Sequence, residues 1–292
     1  MKTLPRILLI TAALLCIAPA LLAQGVSFTT VDYPGASRTR LLGMNNRGQF
    51  VGDDFIASRP DAKNQGFLWD KGKFLDIAPP GASFNQAKAV NDSGNIAGYF
   101  LSFSDDIGRS YFYSAGKFTT LEFPGAVDTA AFGINDRDQV TGYYQEEAGR
   151  LHGFVWENGH FTIVDPAFAV ETVVVGINNS GDMSGNYDTG DPNTSHGFLI
   201  RNGEASSYDV PGSFNTALFG NNNRGDSAGL VQDSSGTHGV VLWKDGTVTP
   251  LDVPGAIATE ARDVDDHGDI AGFYRDSSGR LHGFLATLIG RS

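Results

Sequence analysis

One sequence pattern occurs six times in this chain of 292 residues, at a spacing of about 44 residues. Each copy places an Asn or Asp in a turn of the form Asn-Asp-x-Gly, and a glycine follows seven residues later. The turn residues are Asn45, Asn91, Asn135, Asn178, Asn222 and Asp265, and the glycines are Gly52, Gly98, Gly142, Gly185, Gly229 and Gly272. A fixed period of this length is typical of repeat proteins, in which each unit buries its apolar surface only against its neighbours.

Each copy predicts four β-strands. In the third copy, the segments 129–136, 139–144, 152–156 and 160–165 are short, rich in aromatic or β-branched residues, and bounded by Gly, Asn, Asp or Pro. The chain after its N-terminal segment has no helical periodicity. Because the turns between these segments carry Gly where a tight hairpin needs it, each copy is predicted to form a four-stranded antiparallel sheet.

Six such sheets predict an all-β fold, a six-bladed β-propeller of four-stranded antiparallel blades. Residues 28–32 match the fourth strand of a repeat, whereas the chain ends after a third strand at 283–287. The N-terminal strand is therefore predicted to complete the last blade and close the ring, which leaves no open sheet edge. A β-solenoid is the alternative, but it does not require this matched half-repeat at the two chain ends.

Residues 1–23 have the pattern of a secretory signal peptide. Lys2 and Arg6 precede the apolar stretch 7–22, which ends in small residues. This stretch is short for a membrane-spanning helix. We therefore predict a single propeller domain over residues 24–292, located outside the cytoplasm (secreted, or periplasmic or extracellular), with no membrane insertion of the mature chain.

Composition excludes several classes of function. The single cysteine, Cys16, lies within the signal peptide, so the mature chain has no disulfide, thiolate metal site or cysteine nucleophile. Loss of Lys2 and Arg6 with that segment changes the formal net charge from −12 to −14. A chain this acidic, without a basic run, argues against a nucleic-acid partner. We predict a monomer without a cofactor. The acidic pair Asp53-Asp54 and others like it leave Ca²⁺ as a candidate ligand.

Three short motifs relate the repeats to a known family. They are Asp209-Val-Pro-Gly212, Gly133-Ile-Asn-Asp136, and His-Gly-Phe at 152–154, 196–198 and 282–284. With these motifs the chain resembles the bacterial probable extracellular repeats of the HAF family over essentially all of its mature length. Gln65 and Ser110 depart from the pattern in place of the His. The resemblance implies an exported repeat protein and implies no agreed activity.

Three further positions of the repeat predict structural roles. His152, His196, His238 and His282 are too far apart in a ring to share one ion, so we expect a repeated hydrogen bond at the start of each third strand. Trp69, Trp156 and Trp243 share one column and are expected to pack in the core. A threonine that five copies share, with Asn85 in the other, is expected to bond local backbone.

Charged residues that occur in only one copy mark the predicted site, because a ligand without the symmetry of the ring needs different groups in different blades. We place the site at the mouth of the central channel, on the face that carries the variable loops. The predicted ligand-binding residues are Arg38, Arg40, Lys88, Asp128, Glu171, Glu260, Arg262 and Asp263.

The sequence predicts a non-catalytic module that binds an extracellular ligand, which is a glycan, a cell-wall polymer or another protein. The chain has no G-x-S-x-G or H-E-x-x-H motif. The alternative is a secreted glycoside hydrolase or polysaccharide lyase, in which two carboxylates among Asp128, Glu171, Glu260 and Asp263 act at the channel mouth. A purely structural or assembly role is a third possibility.

Overall fold

A computed structural model describes residues 25–59, 64–104, 107–191 and 194–289. The predicted signal peptide, residues 1–23, lies outside the described residues. The regular structure within the described ranges consists of β-strands, four for each repeat. The predicted all-β character is therefore confirmed.

The strands follow the repeats along the chain. The first two repeats contain β2 (Arg38–Met44), β3 (Phe50–Phe55), β4 (Asn64–Asp70), β5 (Lys73–Ile77), β6 (Ala82–Val90), β7 (Ile96–Ser102), β8 (Gly108–Ser114) and β9 (Lys117–Leu121). The next two contain β10 (Asp128–Ile134), β11 (Val140–Gln145), β12 (Leu151–Glu157), β13 (His160–Ile163), β14 (Glu171–Ile177), β15 (Met183–Asp188), β16 (His196–Arg201) and β17 (Glu204–Tyr208). The last part contains β18 (Asn215–Asn221), β19 (Ser227–Asp233), β20 (Gly236–Leu242), β21 (Val248–Leu251), β22 (Ala258–Val264), β23 (Ile270–Arg275) and β24 (Leu281–Ile289), and β1 spans Gly25–Val31.

The sheets are antiparallel and four-stranded for the first four repeats, as the fold of a β-propeller requires. The remaining strands form one eight-stranded sheet in the order β1-β24-β23-β22-β20-β19-β18, with β21 paired to β20. The prediction of six separate sheets is therefore wrong in its count. Only two residues separate β19 from β20, and the start of β20 places Thr237 in a parallel pair with Ala258 of β22. This pair joins the last two four-stranded units.

The two ends of the chain pair with each other. β1 runs antiparallel to β24 along its whole length, from Gly25 opposite Ile289 to Val31 opposite Gly283. The ring of Phe28 contacts that of Phe284 edge-on, with the centroids 5.6 Å apart. The predicted pairing of the N-terminal strand with the last repeat is confirmed.

Apolar side chains between neighbouring sheets form the core. The third strand of most repeats contributes one fully buried ring, as Phe154 does in β12. This ring lies over the repeated glycine of the second strand. A Cβ atom at Gly142 would lie 2.9 Å from Cζ of Phe154 and would overlap the carbonyl oxygen of Ala130. Close packing of an aromatic ring thus explains the glycine that follows each turn Asn by seven residues.

The recurring Thr, His and Trp residues have the structural roles predicted for them. The Thr129 hydroxyl accepts a hydrogen bond from the backbone N–H of Phe123 at 3.1 Å, and the equivalent threonines of other repeats do the same. His152 has its Nδ1 2.6 Å from Asp165, and the other three histidines of the column contact equivalent aspartates. Trp69 stacks on Phe50 with the centroids 4.5 Å apart.

The Asn-Asp-x-Gly turns link all six repeats. In each turn, the residue after the repeated Asn or Asp donates its backbone N–H to the side-chain oxygen of its counterpart in the next repeat. These bonds run Asn46 to Asp92, Asp92 to Asp136, Asp136 to Asn179, Asn179 to Asn223, Asn223 to Asp266 and Asp266 to Asn46, at 2.8–2.9 Å. The succession of donors and acceptors returns to its first residue, and we call it the turn cycle.

A β-bulge interrupts the first strand of every repeat at the same position. The residue in the bulge has no partner on the second strand, and a bulge of this kind re-aims its side chain. The bulged residues are Leu42, Lys88, Phe132, Val175, Phe219 (with Gly220) and Arg262. Each repeat thus carries one specially oriented side chain on its first strand.

Candidate ligand-binding site

The first strands of all six repeats surround one cavity of about 80 Å³, which we call the axial cavity. Residues of the turn cycle line one end of it, so this cavity lies toward the uniform turns and not at the face of the variable loops, where we predicted the site. Five of the bulged residues line its wall, namely Leu42, Lys88, Phe132, Val175 and Arg262.

Lys88 and Arg262 are the two cations of this wall, and both are predicted site residues. The Nζ atom of Lys88 lies 4.9 Å from the centroid of the Phe132 ring. The guanidinium carbon of Arg262 lies 3.7 Å from the centroid of the Phe219 ring. Each cation thus rests on the aromatic side chain of another bulge, an arrangement that is attractive where water is partly excluded.

Asp263 also lines the axial cavity, but backbone groups hold both of its oxygens. Oδ2 accepts a hydrogen bond from the N–H of Met44 at 2.8 Å, and Oδ1 accepts one from the N–H of Val264 at 2.9 Å. Burial raises the pKa of Asp263 to about 7. Because Met44 belongs to β2 and Asp263 to β22, this carboxyl joins the last repeat to the first.

Arg40 lies beside the cavity in a buried ion pair. Its Nε and Nη2 atoms each donate to one oxygen of Asp53 at 2.9 Å, and Asp53 is fully buried. Asn64 and Gln86 also donate to this carboxylate, at 2.8 and 3.4 Å. Asp53 thus neutralises Arg40, and it was not among the predicted site residues. The sequence could have indicated Asp53, because the other repeats have only uncharged residues at the same position. These are Tyr99, Tyr143, Asn186, Leu230 and Phe273.

The remaining predicted residues near the axis are Arg38 and Glu260. Arg38 donates through Nη2 to Asn64, and its Nε atom is buried without a hydrogen-bond partner among the described residues. Glu260 accepts a hydrogen bond of 3.4 Å from Nη1 of Arg262. We call the set Arg38, Arg40, Asp53, Lys88, Glu260 and Arg262 the axial charge cluster. It holds four cations against two carboxylates, within a chain whose net charge is −12.

Lys88 is the least compensated member of the axial charge cluster. Within the described ranges, no hydrogen bond to its Nζ atom is present. Burial lowers its pKa to about 7, and the charges of Arg262 and Arg40 act in the same direction. Asp53 and Glu260 oppose the change without cancelling it. The ammonium group is therefore held where its charge is unfavourable.

A Lys88→Met variant is expected to be more stable than the wild type at about pH 6, by on the order of 2 kcal/mol. The lowered pKa belongs to the folded state, so between about pH 7 and pH 10 the unfolded state holds more protons. The wild type therefore gains stability as the pH rises through this range, and the difference should shrink by about pH 9. Urea unfolding at both pH values measures it. Lys117→Met, at an exposed lysine of β9, is the control, and equal stability of wild type and Lys88→Met at the lower pH would contradict the expectation.

Asp128 and Glu171 do not line the axial cavity, so the predicted residues do not form a single site. Asp128 accepts a hydrogen bond from Oη of Tyr143 at 3.2 Å, and burial raises its pKa. Glu171 lies in a second cavity of about 280 Å³. Burial, together with the charge of Asp188 and a hydrogen bond to it, raises the pKa of Glu171.

One group on the periphery has the order of a catalytic triad. Oγ of Ser235 lies 2.8 Å from Nε2 of His238, whose Nδ1 lies 2.9 Å from Asp252. The serine hydroxyl also donates to Asp233 at 2.5 Å. Related groups recur in other repeats, where Glu146 or Asp276 contacts Nε2 of the histidine. The recurrence indicates a structural link between strands rather than a nucleophile.

Two kinds of feature are absent from the part of the chain that the structure describes. No group of three or more His, Cys, Asp or Glu side chains lies close enough together there to hold a metal ion. No helix in those ranges is long and apolar enough to cross a membrane.

Neither a protein-family model nor a curated protein matches the chain. Solved structures do resemble it. Virginiamycin B lyase from Staphylococcus aureus is 12% identical with a TM-score of 0.51, over 91% of this chain and 100% of that one. TolB from Acinetobacter baumannii is 12% identical with a TM-score of 0.57, over 82% and 64% of the two chains. AofleA from Arthrobotrys oligospora is 12% identical with a TM-score of 0.55, over 89% and 86%. At this identity the likeness establishes the fold alone, a β-propeller of four-stranded antiparallel blades.

Proposed function

We propose that this protein is an exported, non-catalytic binding module, a closed six-bladed propeller of the HAF type that takes an extracellular glycan or cell-wall polymer at its axial cavity. The observation that carries the proposal is a contrast within the repeats. The turn cycle uses nearly the same residues six times, whereas the bulged residues that line the cavity differ in charge and size. A uniform scaffold with unlike side chains at its centre is suited to a ligand that lacks the symmetry of the ring.

The six-bladed arrangement counts the eight-stranded sheet as two blades joined at Thr237 and Ala258. The turn cycle supports it, since six hydrogen bonds connect six turns and the last returns to Asn46. The pair of β1 with β24 supports it as well, because it satisfies a strand edge that would otherwise stay open. Export is supported by the sequence pattern of residues 1–23.

An array of glycans and cell-wall polysaccharides tests the proposal, with protein that begins at residue 24 and with calcium or a chelator present. Val175→Trp is the informative variant, because Val175 is the bulged residue of β14 and lines the axial cavity, which a large ring there would obstruct. We expect it to weaken binding by at least about tenfold. Ala205→Trp, at an exposed position of the outer strand β17, is the matched control and is expected to bind normally.

Two results would count against this proposal. Absence of binding to every glycan and polymer, with and without calcium, would overturn the choice of ligand. Binding that Val175→Trp leaves unchanged would remove the axial cavity from the function. The melting temperatures of both variants show whether a loss of binding reflects a loss of fold.

One observation favours a second candidate function, a secreted glycoside hydrolase or polysaccharide lyase. Glu171 and Asp188 face each other across β14 and β15 and share a hydrogen bond in the second cavity. A carboxyl group with a raised pKa beside another carboxylate is the arrangement that general acid catalysis uses. Release of reducing ends or of unsaturated products from an array polymer, abolished by Glu171→Gln, would support this function over simple binding.

A further inference from the structure

We propose that the face of the propeller opposite the turn cycle is a docking surface for a basic, amphipathic segment of another protein. The apolar side chains of that segment would pack on a row of exposed residues in the third to sixth repeats. This row consists of Val127, Val170, Phe214 and Ile257, and we call it the apolar row. Because the row and the turn cycle lie at opposite ends of the first strands, the inference does not depend on the axial cavity and goes beyond the proposed function.

The four members of the apolar row occupy the same position in their repeats. Each one immediately precedes the first strand, so all four lie where these strands begin. Each also donates its backbone N–H to a carbonyl oxygen at or next to the end of the second strand, at 2.8–2.9 Å. The accepting residues are Gln145, Asp188, Gln232 and Arg275. The apolar row is therefore one structural position that recurs in successive repeats.

The fold does not require an apolar side chain at this position. The first two repeats have Ser37 and Ser83 there, whose hydroxyls donate to the carbonyl oxygens of Phe55 and Leu101 at 3.1 and 3.2 Å. In the apolar row, between 44% and 59% of each residue remains accessible to solvent. Single exposed apolar residues are ordinary, but a set of them at one recurring position is the kind of patch that marks an interaction site.

Acidic residues surround the apolar row. Each loop that ends in a member of the row begins with a carboxylate five residues earlier, and these are Glu122, Asp165, Asp209 and Asp252. The loops after the second strands add Glu146, Glu147, Asp188, Asp191, Asp233 and Asp276. Arg150 and Arg280 lie in the same loops, but each donates to a backbone carbonyl oxygen, that of Val170 and that of Ala36. This face therefore combines exposed apolar side chains with an excess of negative charge.

That combination determines the kind of occupant. A segment with one apolar and one basic face buries the row and places its Lys or Arg side chains beside the carboxylates. A second copy of this chain would instead bring like charges together across the interface. An anionic membrane surface would be repelled in the same way. A basic, amphipathic polypeptide is therefore the occupant that the face fits.

Fluorescence anisotropy with three labelled peptides of equal length tests the inference, with protein that begins at residue 24. One peptide is an amphipathic helix of Leu and Lys, the second has Ser in place of Leu, and the third has Glu in place of Lys. We expect the Leu and Lys peptide to bind at least about tenfold more tightly than either of the others. Added salt is expected to weaken its binding, because the carboxylates lie at the surface.

The double variant Phe214→Ser, Ile257→Ser gives the last two repeats the residue that the first two carry. It is expected to weaken binding of the Leu and Lys peptide by at least about tenfold. Its melting temperature is expected to stay close to that of the wild type, because both side chains are exposed. Leu75→Ser, Ile163→Ser is the matched control, since these residues are 49% and 52% accessible on the outer strands β5 and β13. The control is expected to bind the peptide normally.

A charge variant tests the acidic surround separately. Glu146→Gln, Glu147→Gln is expected to weaken binding about threefold and to reduce its dependence on salt. Glu204→Gln, at an exposed position of the outer strand β17, is the control and is expected to have no effect.

Several results would overturn the inference. Equal binding of the three peptides would, and so would binding that Phe214→Ser, Ile257→Ser leaves unchanged. A dimer in sedimentation equilibrium that the same variant dissociates would assign the row to a second copy instead. Retention on phosphatidylcholine vesicles that the variant loses would assign it to a membrane surface. The glycan array with this variant keeps the two proposals separate, because binding at the axial cavity is expected to be the same as in the wild type.

Discussion

Deletion of residues 25–36 is expected to lower the melting temperature by more than about 10 °C or to prevent recovery of soluble protein. All seven residues of β1 pair with β24, so the deletion leaves β24 with an unpaired edge. Val26 and Phe28 also leave the cluster that contains Phe284 and Leu288. Each such side chain contributes roughly 1.5–3 kcal/mol, and the lost strand pairing adds to this.

Complementation in trans distinguishes loss of strand pairing from nonspecific damage. A synthetic peptide of residues 25–36 is expected to restore much of the lost thermal stability, whereas a scrambled peptide of equal composition is not. Differential scanning calorimetry with increasing peptide concentration measures the effect, because a bound strand stabilises by mass action. An unchanged melting temperature in the deletion variant would exclude the role that we assign to β1.

Asp53→Ala is expected to destabilise the protein by about 3–5 kcal/mol, which corresponds to roughly 6–20 °C in melting temperature. The substitution leaves the guanidinium of Arg40 without its partner beside the three other cations of the axial charge cluster. It also removes the acceptor for Asn64 and Gln86, both of which are buried. An uncompensated charge in such a place costs more than the ion pair itself contributed.

The double variant Asp53→Ala, Arg40→Met tests that reasoning. Removal of both charges eliminates the unpaired cation and keeps most of the side-chain volume at residue 40. We expect it to recover at least about half of the loss, because replacing both partners of a buried pair is much less costly than removing one. Urea unfolding of the single and double variants measures the difference. A single variant within about 1 kcal/mol of the wild type would contradict the argument.

The strand pattern was predictable because the same short-range signals occur in every copy. The glycine at Gly142 and the turn Asn at Asn135 each satisfy a local requirement, the first for packing space and the second for hydrogen bonds within and between turns. The eight-stranded sheet was not predictable in this way. It results from one contact between Thr237 and Ala258, which depends on where β20 begins and has no repeated sequence signal.

The unusual residues of the candidate site could be predicted from the sequence, but the residues that pair with them could not. Lys88 and Arg262 stand out because their column is apolar in the other four repeats. Asp53 and Asp188 were considered only as candidate calcium ligands, because their importance arises from the residue that the register places opposite, Arg40 and Glu171 respectively. The sequence also did not show that Asp128 lies away from the axial cavity. Its position depends on the fold, which places its carboxylate beside the hydroxyl of Tyr143.

Because of the bulge in each first strand, the residues that maintain the architecture of a repeat differ from the residue that faces the axis. The bulged residue does not take part in the strand ladder, and the glycine, the turn Asn and the buried ring lie elsewhere in the repeat. Substitution at residues 42, 88, 132, 175, 219 and 262 can therefore alter recognition without breaking a pair of the strand ladder, although it changes the packing around the axis. A combinatorial library confined to these six sites would sample many ligand specificities on one unchanged framework, and gene duplication followed by drift at the same sites offers evolution the same route.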